Sequence, residues 1–170
     1  MAEALRTILL VALAAAALTT LALWLGWWME SGRRLNRAML RSLGRAPDTA
    51  AVSPGEGRAA GMDFEGGQVA VLWNRGANGL VYDFDEVDGC EMIVDGHVIA
   101  RTRRGEPRKA LDVMAPEARQ VVLRLLFQDA RYPEFELALF DAVVAGAAAS
   151  PTEGVRLGRR WLAHIEALMR

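Results

Sequence analysis

The sequence predicts one membrane-spanning helix followed by a mainly antiparallel β domain that ends in an amphipathic α-helix. Three observations predict it. Thr7–Trp28 contains no charged residue, several later segments alternate apolar and polar residues, and Leu157, Trp161, Ile165 and Leu168 recur at helical spacing. A helix needs about 20 apolar residues to cross the hydrocarbon core. Alternation is the period of a half-buried strand, and a three-to-four-residue repeat is that of a helix with one buried face.

The uncharged run occupies most of residues 1–29, read as the anchor. Trp24, Trp27 and Trp28 cluster at its end, where indoles favour the membrane interface. A cleaved signal peptide has a shorter apolar region, about 7–15 residues, ending in small residues. Here the small residues Ala14–Ala17 lie inside the run and Trp closes it. Arg33, Arg34, Arg37, Arg41 and Arg45 follow, against Arg6 and Glu3 on the other side. Basic flanks stay in the cytoplasm, so the chain is expected N-out and C-in.

Residues 30–46 read as a helical continuation of the anchor, a short basic juxtamembrane helix. Arg33, Arg37, Arg41 and Arg45 are spaced by four, and Leu35, Met39, Leu40 and Leu43 take another face. Such a helix is attracted to anionic headgroups or serves as a stop-transfer flank. Residues 47–61 are rich in Pro, Gly, Ala and Ser without apolar period, which reads as a flexible linker.

The domain is expected over residues 62–170, with six to seven strands. Gln68–Trp73 and Leu80–Phe84 are strands around the turn Asn74–Gly79, and Asp88-Gly89 reads as a second turn. Cys90–Val94 and His97–Arg103 flank Asp95-Gly96, a pair that suits a tight hairpin because both residues tolerate positive φ. Gly105–Ala118 reads as a loop with room for one helical turn, Arg119–Phe127 and Glu134–Asp141 as strands, and Ala142–Ser150 as a loop or weak helix. A helix over Glu153–Met169 must lay its apolar stripe on the sheet.

This order of elements resembles bacterial single-pass membrane proteins with a pleckstrin-homology-like domain of unknown function. The resemblance covers residues 62–170. It is carried by L-V-Y-D-F-D-E-V-D-G-C-E-M-I-V-D-G, the segments V-V-L-R-L-L-F and F-E-L-A-L-F, and the terminal W-L-A-H-I-E-A-L. It implies an inner-membrane location, an acidic strand residue at Glu91 and a helix Trp at Trp161, and it brings no activity.

The chemistry visible in the sequence is sparse. Residues 62–170 carry thirteen basic and seventeen acidic groups, and a net-acidic domain does not favour nucleic acid. Asp83, Asp85, Glu86, Asp88 and Glu91 suggest calcium, but counting from Asp83 the sixth position is Asp88 and the twelfth Val94. A calcium loop needs Gly and a bidentate acid there. His97 and His164 are distant, and Cys90 is the lone cysteine, so no metal or cofactor site is expected. No nucleophile–base pair or phosphate loop stands out, and no catalytic residues are assigned. The candidate binding residues are Arg101, Arg103, Arg104, Arg108 and Lys109, running from a strand into a loop. The expected function is a non-enzymatic module that docks a protein partner at the membrane; the alternative is binding of anionic lipid or a small ligand.

Overall fold

The first helix does not stop where its apolar run ends. In the computed structural model, α1 is a single helix over Ala2–Leu43, 42 residues and therefore about 63 Å long. The structure describes residues 2–169 except 111–115 and 145. Side chains at 2–5, 7–9, 11, 24–31 and 110 are also outside the described residues. Among the described residues, no helix is long and apolar enough to cross a membrane; the expected span Thr7–Trp28 lies partly outside them. Gly44, at φ 73°, follows the last turn, a left-handed position that glycine takes without strain.

Among the described residues nine strands follow, all pairing antiparallel. The first sheet has the order β1-β2-β3-β4, built from Thr49–Ser53, Arg58–Asp63, Gln68–Trp73 and Asn78–Asp83. The second has the order β7-β6-β5-β8-β9, where β5 is Val87–Val94, β6 His97–Arg103, β7 Lys109–Ala110, β8 Gln120–Phe127 and β9 Glu134–Asp141. β8 pairs with β5 on the side away from β6, so this sheet is not an unbroken meander. The hairpin at Asp95-Gly96 has the positive φ at both residues (47° and 81°) that its sequence suggests.

The sheets enclose a core of Met62, Val69, Val71, Cys90, Met92, Leu123, Leu125, Leu137 and Leu139. The second helix, α2 (Pro151–Leu168), adds Val155, Trp161, Leu162 and Ile165. Ser150 caps it by accepting from the Glu153 N–H at 3.3 Å. Gly158 lets α2 approach β5 closely, since a Cβ there would lie 2.4 Å from Met92 Sδ.

Three expectations are corrected. Residues 47–61 are not a flexible linker: they form β1 and β2, and the β domain starts at Thr49 rather than residue 62. The reason is double-sided burial. Met62 faces the main core, while Ala59 packs under α1 together with Ala70 and Leu72. A strand buried on both faces shows no alternation, and its small residues let a helix lie close. At Gly61 an added Cβ would lie 2.9 Å from Met39 Sδ.

The basic segment does continue the first helix, but its apolar face is not laid on lipid. Leu35, Ala38, Met39 and Leu43 are buried against the first sheet; only Leu40 of the expected apolar face stays exposed. Lastly, Asp88-Gly89 is no turn. Both residues lie within β5, at a register shift between Val87 and Gly89.

Candidate functional site

The expected cationic patch is taken apart by its neighbours. Arg101 pairs with Glu106 at 3.0 Å, Arg103 with Asp88 at 3.1 Å and Arg108 with Glu166 at 3.4 Å. The Arg104 guanidinium donates to the carbonyls of Phe84, Asp85 and Val87 at 3.1, 3.3 and 3.1 Å. It thus ties down the connection between the two sheets. Lys109 is exposed on the short edge strand β7. Four of the five cations are therefore engaged locally by described residues.

This difference is measurable. Arg104→Ala should destabilise the domain by about 1–2 kcal/mol, because three carbonyls lose a charged donor. Arg103→Ala should cost under about 1 kcal/mol, since it breaks only a solvent-screened pair. Urea unfolding of the two variants side by side checks the order.

On α1, Arg33, Arg37 and Arg41 form one exposed row, with Arg37 and Arg41 donating from Nε to the carbonyl four residues earlier at 3.3 Å. Arg34 is also exposed. Arg45, just past the helix, is held by Glu65 and by Asp63 at 3.6 Å. The row is placed as a flank to the apolar half of α1, and Arg45 joins helix to sheet.

The acidic run also divides. Asp83 and Glu86 form a capping box around the turn Phe84–Glu86. Asp88 holds Arg103. Glu91 faces Arg124 at 3.2 Å, and Arg124 also pairs with Glu136 at 2.6 Å, a cross-strand ladder over β5, β8 and β9. Among the described residues no group of His, Cys, Asp and Glu is placed to hold a metal. His97 contacts the Asp95 carbonyl, while His164 lies 5.1 Å from the Phe64 ring. Burial pushes the Cys90 thiol far above its ordinary range, which keeps it protonated and unreactive.

An aromatic cleft is the feature that sequence reasoning missed. It lies between the sheets, has a volume of about 210 Å³, and is lined by Val71, Trp73, Leu80, Tyr82, Phe127, Tyr132 and Phe135. Tyr82 stacks on Phe127 with ring centres 4.0 Å apart, and Trp73 and Tyr132 are 5.9 Å apart. Arg58 lies 5.8 Å over Phe135 and donates to the Glu136 carbonyl at 2.9 Å. The wall formed by the β8–β9 connection is fixed by the Tyr82 hydroxyl, which donates to Asp129 at 3.1 Å. Ligand pockets for drug-sized molecules run to about 300–1,000 Å³. This one suits a single large side chain.

Asp129 also accepts the Arg131 backbone N–H at 2.8 Å. That bond, then the Tyr82 hydroxyl and the Tyr132 N–H, hold its carboxyl below the ordinary 3.8, against the cost of burial. A depressed folded value means the stabilisation is complete above 3.8 and is lost as pH falls through the folded value. Asp129→Asn should therefore flatten the acid limb of stability against pH below 3.8 and leave its neutral shape unchanged; melting curves across that range check it.

No known family model, characterised protein or solved structure matches this chain.

Proposed function

We propose that the protein is a single-pass, membrane-anchored interaction module, non-enzymatic, that docks a protein partner at the cytoplasmic face of a bacterial inner membrane. One observation carries the reading: every described side chain from Ala12 to Leu23 is exposed, around the whole circumference of α1, with Leu13 at 70% and Leu23 at 68%. No described part of the chain covers this surface. A helix apolar on all sides needs lipid or other protein around it. The uncharged run Thr7–Trp28, its terminal Trp cluster and the Arg row behind it support lipid.

The continuous helix adds something a linker would not. From Trp28 to Leu35, which is buried against the sheet, α1 rises only about 10 Å. The anchor would hold the domain beside the bilayer in a set orientation. The pleckstrin-homology-like reading belongs to the same proposal. Two antiparallel sheets with a terminal helix support it, while the pairing of β8 with β5 departs from a plain meander.

Two measurements test the reading. The protein should resist extraction of membranes by alkaline carbonate. A reporter active only in the cytoplasm, fused after Arg170, should give signal, and its periplasmic counterpart none. Release by carbonate would overturn the anchor, and a periplasmic signal would overturn the orientation.

A further inference from the structure

The two long edges of the β structure are treated differently. The β9 edge is occupied: the Ala138 N–H donates to Glu56, the Glu136 carbonyl accepts from Arg58, and the carbonyls of Ala138 and Leu139 accept from Ala147 and Ala148. Covering an edge in this way prevents other chains from adding to it. The β4 edge has no such cover.

Its phase follows from two hydrogen bonds. The Phe84 N–H donates to the Gly67 carbonyl, continuing the register of β3 with β4, and the Asp83 N–H turns away from β3 to Glu86. Backbone groups alternate in direction along a strand. Tyr82 and Leu80 therefore pair with β3, while Val81 and Gly79 direct their N–H and C=O outward. Those outward groups meet no partner among the described residues; Gly79 is exposed and Val81 is 38% exposed.

A groove opens at this edge, between Leu80 and the segment Asp129–Tyr132. Leu80 and Tyr132 also line the aromatic cleft, so the groove opens directly into it. At the far end of β4 lie Asp83, Asp85 and Glu86, all exposed, none in an ion pair among the described residues.

We infer that β4 receives an extended segment of a partner protein, which adds as a further strand, seats one large apolar or aromatic side chain in the cleft, and carries basic residues beside Asp83, Asp85 and Glu86. Each part answers to one feature. Main-chain groups on the open edge supply generic affinity, as in other strand-addition complexes. The cleft takes the side chain that points inward and supplies selectivity. The three carboxylates supply charge complementarity, which acts on the rate of encounter and the choice of partner. This deepens the proposed function by naming the chemistry of the partner, and it rests on that reading only for where the encounter takes place.

The test uses the full chain in lipid nanodiscs and a fluorescein-labelled octapeptide of alternating threonine and valine, with a central phenylalanine and two lysines at one end. Fluorescence anisotropy should show saturable binding. Exchanging the phenylalanine for serine should weaken it at least tenfold, and exchanging the lysines for glutamates several-fold at low salt. Val81→Pro should weaken it at least tenfold. Proline is tolerated where an edge N–H faces solvent, so the melting temperature should hold. Tyr132→Ala, at a ring already 45% exposed, trims the cleft without touching β4 and should also weaken binding.

Equal binding by Val81→Pro, or by the serine peptide, overturns the inference. So does a wild-type chain that dimerises in nanodiscs while Val81→Pro is monomeric, because the occupant is then a second copy. Carbonate extraction reads the anchor separately: a wild-type chain that stays with the membrane but binds no peptide counts against the edge, not the anchor.

Discussion

Trp161→Ala is expected to destabilise the β domain by about 3–5 kcal/mol, the range for removing a large aromatic from a core that relaxes only in part. Trp161 is fully buried on the inner side of α2, between the helix and the second sheet. The neighbouring positions on that face are Gly154 and Gly158, where α2 comes closest to the strands. Among the described residues the buried Trp161 indole N–H has no hydrogen-bond partner, so part of the residue's potential contribution is already offset. Trp161→Phe should consequently cost much less, on the order of 1–2 kcal/mol. Urea denaturation of the two variants separates the terms. Near-equal losses would mean that the indole N–H matters more than the volume it carries.

Leu35→Asp is the second large effect, and it acts on how the domain is held rather than on the domain itself. Leu35 is fully buried, packed with Ala38 and Met39 over Ala59, Ala70 and Leu72. Removing the leucine forfeits about 1.5–3 kcal/mol of burial. Placing an unpaired carboxylate there adds a desolvation penalty that the helix escapes by peeling away. The expected result, on the proposed anchor, is a chain that stays with the membrane, with α1 detached from the first sheet and the segment from Gly44 to Asp48 opened to protease. Arg37→Asp, on the exposed side of the same helix, should leave that segment protected. Protease digestion of membrane vesicles in which the domain faces outward compares the two.

The elements legible in the sequence are those with one wet face and one dry face. α2 shows a clean period because solvent sits opposite the core, and the Asp95-Gly96 hairpin shows because its backbone demands particular residues. β1 and β2 were hidden by the second layer that α1 adds. Covered on both sides, Ala59, Ala60 and Gly61 lose the alternation that marks a strand and keep only a composition that suggests a linker.

The site was hidden for a different reason. Trp73, Tyr82, Phe127 and Phe135 each occupy an ordinary inward position on four separate strands, and only the pairing of distant segments gathers them. The cationic run Arg101–Lys109 misled in the opposite sense. It is conspicuous as sequence, yet the partners that engage it, Asp88, Phe84 and Glu166, are remote in the chain.

The unbroken course of α1 from the apolar segment into the sheet is the central claim, and a distance measures it directly. Nitroxide labels at Thr19→Cys and Leu40→Cys, both exposed positions, lie 21 residues apart. With the full chain in nanodiscs, pulsed dipolar spectroscopy should give one narrow distribution near 32 Å between backbones, the rise of a continuous helix, broadened only by the label arms. A broad or markedly shorter distribution would place a hinge between anchor and domain and contradict the account.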